Sequence, residues 1–163
     1  MKSSILIVEG VWGVGKSTLI KRLLSDHSTL KFLREPEYPE ATLLLSKEKK
    51  IFDWYFEKHI QNIEKARLIQ SKKKNSVVIE RSVVSSLAYA EVILGWSEHQ
   101  VAPYFFKAQA LNIKSENFIL LHLVNIDRSI LRMRELCLTD QANYETLRRM
   151  DNCLKKYSNL LGL

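Results

Sequence analysis

The chain has 163 residues, of which 46% are hydrophobic, and a formal net charge of +7 at pH 7. This length predicts a single domain over residues 1–163, long enough to bury a core of its own. No apolar run reaches the roughly 18 residues that span a bilayer, and Ile5 to Val8 is too short for the apolar part of a signal peptide. The two cysteines, Cys137 and Cys153, lack metal-ligand spacing, which favours a reducing compartment. We therefore expect a cytoplasmic protein without membrane association.

The excess positive charge is concentrated in two lysine-rich runs, residues 47–50 and 72–74. Either a nucleic-acid surface or a site that handles several phosphates would produce such an excess. Both runs are typical of solvated loops or helix ends, and neither is interleaved with aromatic residues. We therefore do not expect nucleic-acid binding, and we interpret the charge as a sign of phosphate handling.

The first predicted strand, residues 4–9, leads into a phosphate-binding loop. Gly10 is followed by four residues and then by Gly15, Lys16 and Ser17, which is the pattern G-x-x-x-x-G-K-[ST]. Glycines let the backbone wrap a phosphate closely, and the N–H groups of the loop attract an anion together with the next helix dipole. Lys16 is placed for the β- and γ-phosphates and Ser17 for Mg²⁺. The predicted ATP contacts are Gly10, Val11, Trp12, Gly13, Val14, Gly15, Lys16, Ser17 and Thr18.

Strands and helices alternate along the rest of the chain. Pro103 is expected to kink or split the helix that contains it, and Asp127 is placed to cap another. The alternation predicts an α/β fold of the P-loop NTPase type, with three α/β/α layers around a mostly parallel sheet of about four to five strands. In chain order the predicted elements are strand 4–9, helix 16–26, strand 30–34, a short helix 40–48, helix 51–71, strand 76–80, helix 83–94, helix 97–111, strand 117–124, helix 127–136 and helix 143–161.

Polar residues follow the second and third predicted strands, at the sheet edge where ligands of parallel sheets bind. Glu80 ends the third strand, where it is placed to hold Mg²⁺ with Ser17, and Arg81 is placed to neutralise charge on a transferred phosphoryl group. Glu35 follows the second strand and is placed to take a proton from an acceptor hydroxyl, while Arg34 is placed to clamp an acceptor phosphate. Ordinary surface charges remain the alternative at both positions.

The long helix 51–71 mixes aromatic and hydrogen-bonding side chains, including Trp54, His59 and Gln61. Aromatic residues at helical spacing are commonly core, but a nucleobase pocket needs this mixture, with Gln61 as a base reader. Further along, Arg132 and Arg134 are placed to form a lid over the ATP phosphates, with Arg132 as the predicted contact. A solvated basic face is the alternative for these arginines.

Taken in order, these motifs resemble the thymidylate kinase and deoxynucleoside kinase superfamily of P-loop kinases. Trp12 stands where thymidylate kinases usually have an acid that touches the acceptor sugar. By this resemblance Glu35 is the proposed base, Glu80 assists magnesium, and Tyr89 contacts the substrate. Arg34-Glu35-Pro36 and Ser85-Ser86-Leu87-Ala88-Tyr89 are similar to thymidylate kinases, whereas Glu80-Arg81-Ser82 is closer to deoxynucleoside kinases.

We therefore expect an ATP-dependent phosphotransferase that uses Mg²⁺, in the first place a thymidylate kinase-like nucleoside monophosphate kinase. A deoxynucleoside kinase is the runner-up, and a non-catalytic nucleotide-binding protein or a kinase of another small acceptor remain open. Expected partners are a small nucleotide or nucleoside and, as an open alternative, a second copy in a homodimer. Predicted catalytic residues are Lys16, Glu35, Glu80 and Arg81, and predicted substrate contacts are Arg34, Glu35, Trp54, His59, Gln61, Arg81 and Tyr89.

Overall fold

A four-stranded parallel sheet forms the centre of the molecule. The computed structural model describes residues 3–37, 48–73, 75–122, 127–129 and 144–163. The strands follow the spatial order β2-β3-β1-β4, and all their pairings are parallel. This arrangement confirms the predicted α/β class. The strands are β1 Ile5–Gly10, β2 Lys31–Leu33, β3 Val77–Glu80 and β4 Asn117–Leu121.

Five longer α-helices are described around this sheet, in the predicted order. The helix predicted at 51–71 is longer at both ends, and the strand predicted at 117–124 ends at Leu121. Residues 127–129 are helical. Two parts of the predicted helices lie outside the described residues: residues 40–47 of the helix 40–48, and residues 130–136 of the helix 127–136. The helices are α1 Lys16–Asp26, α2 Glu48–Lys73, α3 Val83–Val92, α4 Glu98–Ala110 and α5 Tyr144–Leu160.

Pro103 neither splits nor ends α4, which runs from Glu98 to Ala110 with the proline inside. A proline inside a helix removes one backbone hydrogen bond and crowds the preceding turn. Here the helix is held on both sides of it, since Val101 is buried and Tyr104 packs edge-on against Phe52. The predicted split at Pro103 is therefore wrong, and packing on both sides of the proline supports the continuous helix.

Alternation along the central strands sends side chains into two cores, one on each face of the sheet. Ile5 and Ile7 of β1 join the larger cluster, which includes buried residues of α2, α3 and α5. Val8 of β1 and Val78 of β3 face the opposite way and pack with Ile20 of α1. Helices therefore cover both faces, which confirms the three-layer prediction.

No helix within the described part of the chain combines the length and the apolar character needed to cross a membrane. Within that same part, no group of three or more His, Cys, Asp or Glu side chains is arranged to hold a metal ion. Cys153 is a buried free thiol, and Cys137 lies outside the described residues.

Candidate active site

The phosphate-binding loop connects β1 to α1 with three glycines at positive φ. Gly10, Gly13 and Gly15 have φ values of 145°, 73° and 107°. A Cβ atom on Gly13 would lie 2.6 Å from the carbonyl oxygen of Ser129, so both the backbone conformation and the available space require glycine there. Ser17 and Thr18 lie exposed in the first turn of α1. The predicted loop is therefore present, with its last residues at a helix N-terminus, where anions bind.

Replacing Gly13 with alanine is expected to raise the Kd for ATP about tenfold or more, a loss of at least about 1.4 kcal/mol. Gly95 provides a matched control, since its φ is +64° but an added Cβ would have no neighbour within 4 Å. Both substitutions carry the left-handed backbone cost of about 1–2 kcal/mol, but only the first distorts the loop. Calorimetric titration with ATP and denaturant unfolding of both variants test this. Equal Kd values for the two variants would contradict it.

Lys16 reaches back across the loop from the first turn of α1. Its Nζ atom donates hydrogen bonds to the carbonyl oxygens of Gly10 and Val11, both at 2.9 Å, and the residue is only 6% exposed. Burial, and after it the charge of Arg81, lower the pKa of Lys16 to about 7 against the opposing effect of nearby glutamates. A polyanion bound in the loop would restore the charged ammonium.

Ser17 and Glu80 are brought together as predicted, although they lie on different elements. The Ser17 hydroxyl donates a hydrogen bond to Oε1 of Glu80 at 3.1 Å. Glu80 is the last residue of β3 and is buried. A hydroxyl and a carboxylate are the hard oxygen ligands that Mg²⁺ prefers, and such sites typically complete the shell with water and phosphate oxygens. The residues present therefore fit a magnesium ion that accompanies a nucleotide.

Arg81 joins the phosphate-binding loop to the second predicted carboxylate. It follows β3 with a left-handed φ of 63°, and its buried Nη1 donates to the Gly10 carbonyl at 3.2 Å. Its Nε atom lies 2.9 Å from Oε1 of Glu35, an ion pair by distance, and its guanidinium lies 5.6 Å from the centre of the Trp12 ring. Burial alone would lower the pKa of Arg81, but Glu35 and Glu9 raise this pKa overall. Arg81 is therefore positively charged.

Arg34 and Glu35 are neighbours in sequence but have different surroundings. The Glu35 side chain is 38% exposed and pairs with buried Arg81. The Arg34 side chain is 72% exposed and pairs with Glu37 at 2.8 Å. Glu35, the predicted base, is therefore connected to the phosphate loop through Arg81. Arg34, the predicted phosphate clamp, instead forms an ion pair with Glu37 on the surface.

Two adjoining cavities meet at Glu35 and Tyr55. The first, which we call the aromatic cavity, has a volume of about 230 Å³ and is lined by Trp12, Glu35, Ile51, Phe52, Tyr55, His59, Arg81, Ser85, Ser86, Tyr89 and Met150. The second, which we call the acidic cleft, has a volume of about 520 Å³ and is lined by Ser17, Arg34, Glu35, Pro36, Glu37, Tyr55 and Glu80. The aromatic cavity combines apolar walls with a few convergent polar groups, which is typical of small-molecule sites.

His59 is one of the buried polar residues that line the aromatic cavity. Its Nδ1 is 2.8 Å from the Ser86 hydroxyl, and its Nε2 has no hydrogen-bond partner among the described residues. Burial, together with the charge of Arg81 and against the opposing effect of Glu35, lowers the pKa of His59 to about 4. The imidazole is therefore neutral near pH 7, with one nitrogen held by Ser86.

Of the other predicted substrate contacts, Tyr89 lines the aromatic cavity, but Trp54 and Gln61 line neither cavity. The Trp54 ring packs edge-on against Tyr55, and the exposed Gln61 accepts a hydrogen bond from Lys58 at 2.9 Å. The helical repeat explains this placement, since positions 55 and 59 share the cavity face of α2 while 54, 58 and 61 lie on other faces.

The low pKa of His59 predicts a loss of stability in mild acid. Because the folded pKa lies below the unfolded value of 6.5, the stabilising effect is complete above pH 6.5 and is lost as the pH falls towards 4. The expected loss is about 3 kcal/mol over this window. His59→Gln should remove that part of the pH dependence, whereas His27→Gln, at an exposed site, should not. Denaturant unfolding at several pH values measures it, and equal pH slopes in wild type and His59→Gln would contradict it.

Several residues of the site were not predicted from sequence. Glu9, Ser85 and Ser86 form hydrogen bonds inside it, and Tyr55 and Met150 line the aromatic cavity. A charged residue inside an otherwise apolar strand was the available signal for Glu9, since a buried charge needs partners. Arg132, predicted to contact ATP, lies outside the described residues.

The sequence matches no family model and no curated protein. By structure, the chain is similar to a deoxyadenosine kinase from M. mycoides, whose structure contains the products dCMP and a flexible dCDP. The match has a TM-score of 0.56 and 14% sequence identity, and it covers 96% of this chain and 84% of that chain. The likeness shows that this chain shares its fold with that kinase.

Proposed function

We propose that this protein is an ATP-dependent phosphotransferase that phosphorylates a hydroxyl of a nucleoside bound in the aromatic cavity. One observation carries this proposal: Arg81 donates to the Gly10 carbonyl of the phosphate loop and pairs with Glu35 at the cavity. A single buried guanidinium thereby links the donor side to a carboxylate beside the acceptor side. Phosphoryl transfer needs this combination of positioning and charge stabilisation.

The donor side consists of the loop N–H groups, Lys16, Ser17 and Glu80. The loop and Lys16 would hold the β- and γ-phosphates of ATP. Ser17 and Glu80, whose side chains are 3.1 Å apart, would hold Mg²⁺, which offsets negative charge on the phosphates when bound. The polyphosphate would thus lie along the mouth of the loop, with its γ-phosphoryl group near Arg81.

On the acceptor side, Glu35 would take the proton of the acceptor hydroxyl. The hydroxyl oxygen would form the new bond to the γ-phosphorus as the bond to the β–γ bridging oxygen breaks, leaving ADP and a phosphorylated acceptor. Arg81 would stabilise the charge that spreads over the transferred group. Glu35 borders both cavities, which is the place from which a base could serve an acceptor facing the ATP.

The charges around the site favour a neutral acceptor over a monophosphate. Arg81 is the cationic residue of the aromatic cavity and already pairs with Glu35. The acidic cleft contains Glu35, Glu37 and Glu80, and its arginine, Arg34, pairs with Glu37. An acceptor phosphate would therefore meet several carboxylates and no unpaired arginine among these lining residues. The structural neighbour, a deoxynucleoside kinase by name, agrees with this choice.

A thymidylate kinase-like monophosphate kinase is the second candidate. It is favoured by Arg34, which lines the acidic cleft beside Glu35 and could exchange its ion pair with Glu37 for an acceptor phosphate. Arg34→Ala separates the candidates, since it should impair turnover of a monophosphate but leave turnover of a nucleoside nearly unchanged.

ADP formation with Mg²⁺-ATP, measured over a panel of nucleosides and their monophosphates, tests the proposal. We expect higher kcat/KM for a nucleoside than for its own monophosphate. A consistent preference for monophosphates would support the second candidate instead. ATP binding by calorimetry without turnover of any nucleoside, nucleotide or sugar would identify a non-catalytic nucleotide-binding protein.

A further inference from the structure

Glu9 is a fully buried carboxylate with no role in the steps described so far. It is 0% exposed and directly precedes Gly10, the first glycine of the phosphate loop. Its Oε1 accepts hydrogen bonds from the backbone N–H and the hydroxyl of Ser82, at 2.6 and 2.7 Å, and its Oε2 accepts from the Ser85 hydroxyl at 2.5 Å. Burying a carboxylate is costly, and packing alone would be served better by an apolar side chain.

These hydrogen bonds lead to Arg81 by two routes. Through the backbone, Glu9 holds the N–H of Ser82, the residue that directly follows Arg81. Through side chains, the Ser85 hydroxyl donates to Glu9 and accepts from Nη1 of Arg81 at 3.0 Å. Glu9 thus acts through hydrogen bonds on both the peptide group that follows Arg81 and the guanidinium of Arg81.

The backbone of Arg81 needs such support. Its φ of 63° lies in the left-handed region, which costs a residue with a side chain about 1–2 kcal/mol. Conformations of this kind persist where the surroundings over-determine them, commonly at functional sites. At this φ, Arg81 reaches the Gly10 carbonyl and Glu35 together.

We propose that Glu9 is a positioning residue that sets the backbone and the guanidinium of Arg81 for phosphoryl transfer. The proposal rests on the proposed function, because positioning has a kinetic consequence only if Arg81 acts in the reaction. Ser85 is the intermediate, and Glu9 itself touches neither ATP nor acceptor. Burial raises the pKa of Glu9, and Arg81 and the two serines oppose this change.

Glu9→Gln is the first test, because glutamine keeps the shape and can still accept from Ser82 but presents NH₂ where Ser85 needs an acceptor. We expect kcat to fall about 10- to 100-fold, with little change in the KM for ATP or in Tm. Ser85→Ala should lower kcat similarly while keeping the Glu9 charge, and the double variant should be little worse than the more impaired single variant. Asp151→Asn is the matched control, since it removes another buried carboxylate, which pairs with Lys155 on α5.

An independent readout comes from NMR of the Arg81 Nε–H group, whose burial should make hydrogen exchange slow. Exchange should accelerate in Glu9→Gln and Ser85→Ala but not in Asp151→Asn. Since this measurement needs no acceptor, it supports or overturns the positioning role even if the wild type proves inactive and the proposed function fails. Wild-type kcat with wild-type exchange in Glu9→Gln would overturn the proposal. So would a large loss of Tm with unchanged Arg81 exchange, which would show a purely structural role.

Discussion

Glu35→Gln is expected to lower kcat for phosphoryl transfer by about 10²- to 10⁴-fold, while ATP still binds. Glutamine has the shape of glutamate but cannot take the proton of an acceptor hydroxyl. The charge partner of Arg81 is also lost, since Nε of Arg81 lies 2.9 Å from Oε1 of Glu35. Steady-state kinetics at saturating ATP, together with calorimetric ATP titration, separates the catalytic loss from any loss of binding.

Glu37→Gln is the matched control for this prediction. Glu37 lies two residues away, its side chain is 76% exposed, and it pairs with Arg34 on the surface. Exposed ion pairs contribute little, so its kcat should stay close to that of the wild type. If Glu35→Gln keeps the full rate, or if both variants lose the same factor, Glu35 is not the base.

Lys16→Met is expected to lower kcat/KM by about 10²- to 10³-fold and to weaken ATP binding. Methionine replaces the aliphatic part of the chain but removes the ammonium that bridges the Gly10 and Val11 carbonyls and would contact the phosphates. Lys21→Met on the exposed face of the same helix is the control and should behave as the wild type. Turnover in Lys16→Met equal to that in Lys21→Met would show that the loop does not hold a reacting phosphate.

The pKa of Lys16 adds a pH dependence to this prediction. With a pKa near 7 the free protein loses the ammonium charge as the pH rises through neutrality. ATP affinity should therefore weaken above pH 7 in the wild type, and this part of the pH dependence should be absent in Lys16→Met. Calorimetric titrations from pH 6 to 9 measure it.

The fold was largely predictable because its signals are local. Consecutive apolar residues, such as Ile7 and Val8 on opposite faces of β1, mark strands buried on both sides. The glycine pattern of the loop marks the first turn of α1. Pro103 is the exception, since α4 continues through the proline where a split was one of the two expected outcomes.

The site was predictable only where the fold places residues at one sheet edge. Ser17 meets Glu80 there, and Arg81 meets Glu35. The orientation of α2 was not predictable, because aromatic residues occupy successive positions, so periodicity does not single out the face of His59 over that of Trp54. The partners of Glu9 lie more than seventy residues away in sequence, and no local pattern connects them. The single domain over 1–163, the homodimer and the cytoplasmic location stay predictions.

The central claim is that Arg81 and Glu35 join a bound ATP to an acceptor hydroxyl in the aromatic cavity. In the most direct test, the protein is incubated with ATP that is labelled in its γ-phosphate. One reaction contains the best nucleoside of the panel, and a parallel reaction contains an analogue of that nucleoside that lacks the acceptor hydroxyl. Label is expected in the product from the nucleoside and not from the analogue. Label transferred equally in both cases, or found only as inorganic phosphate, would contradict it.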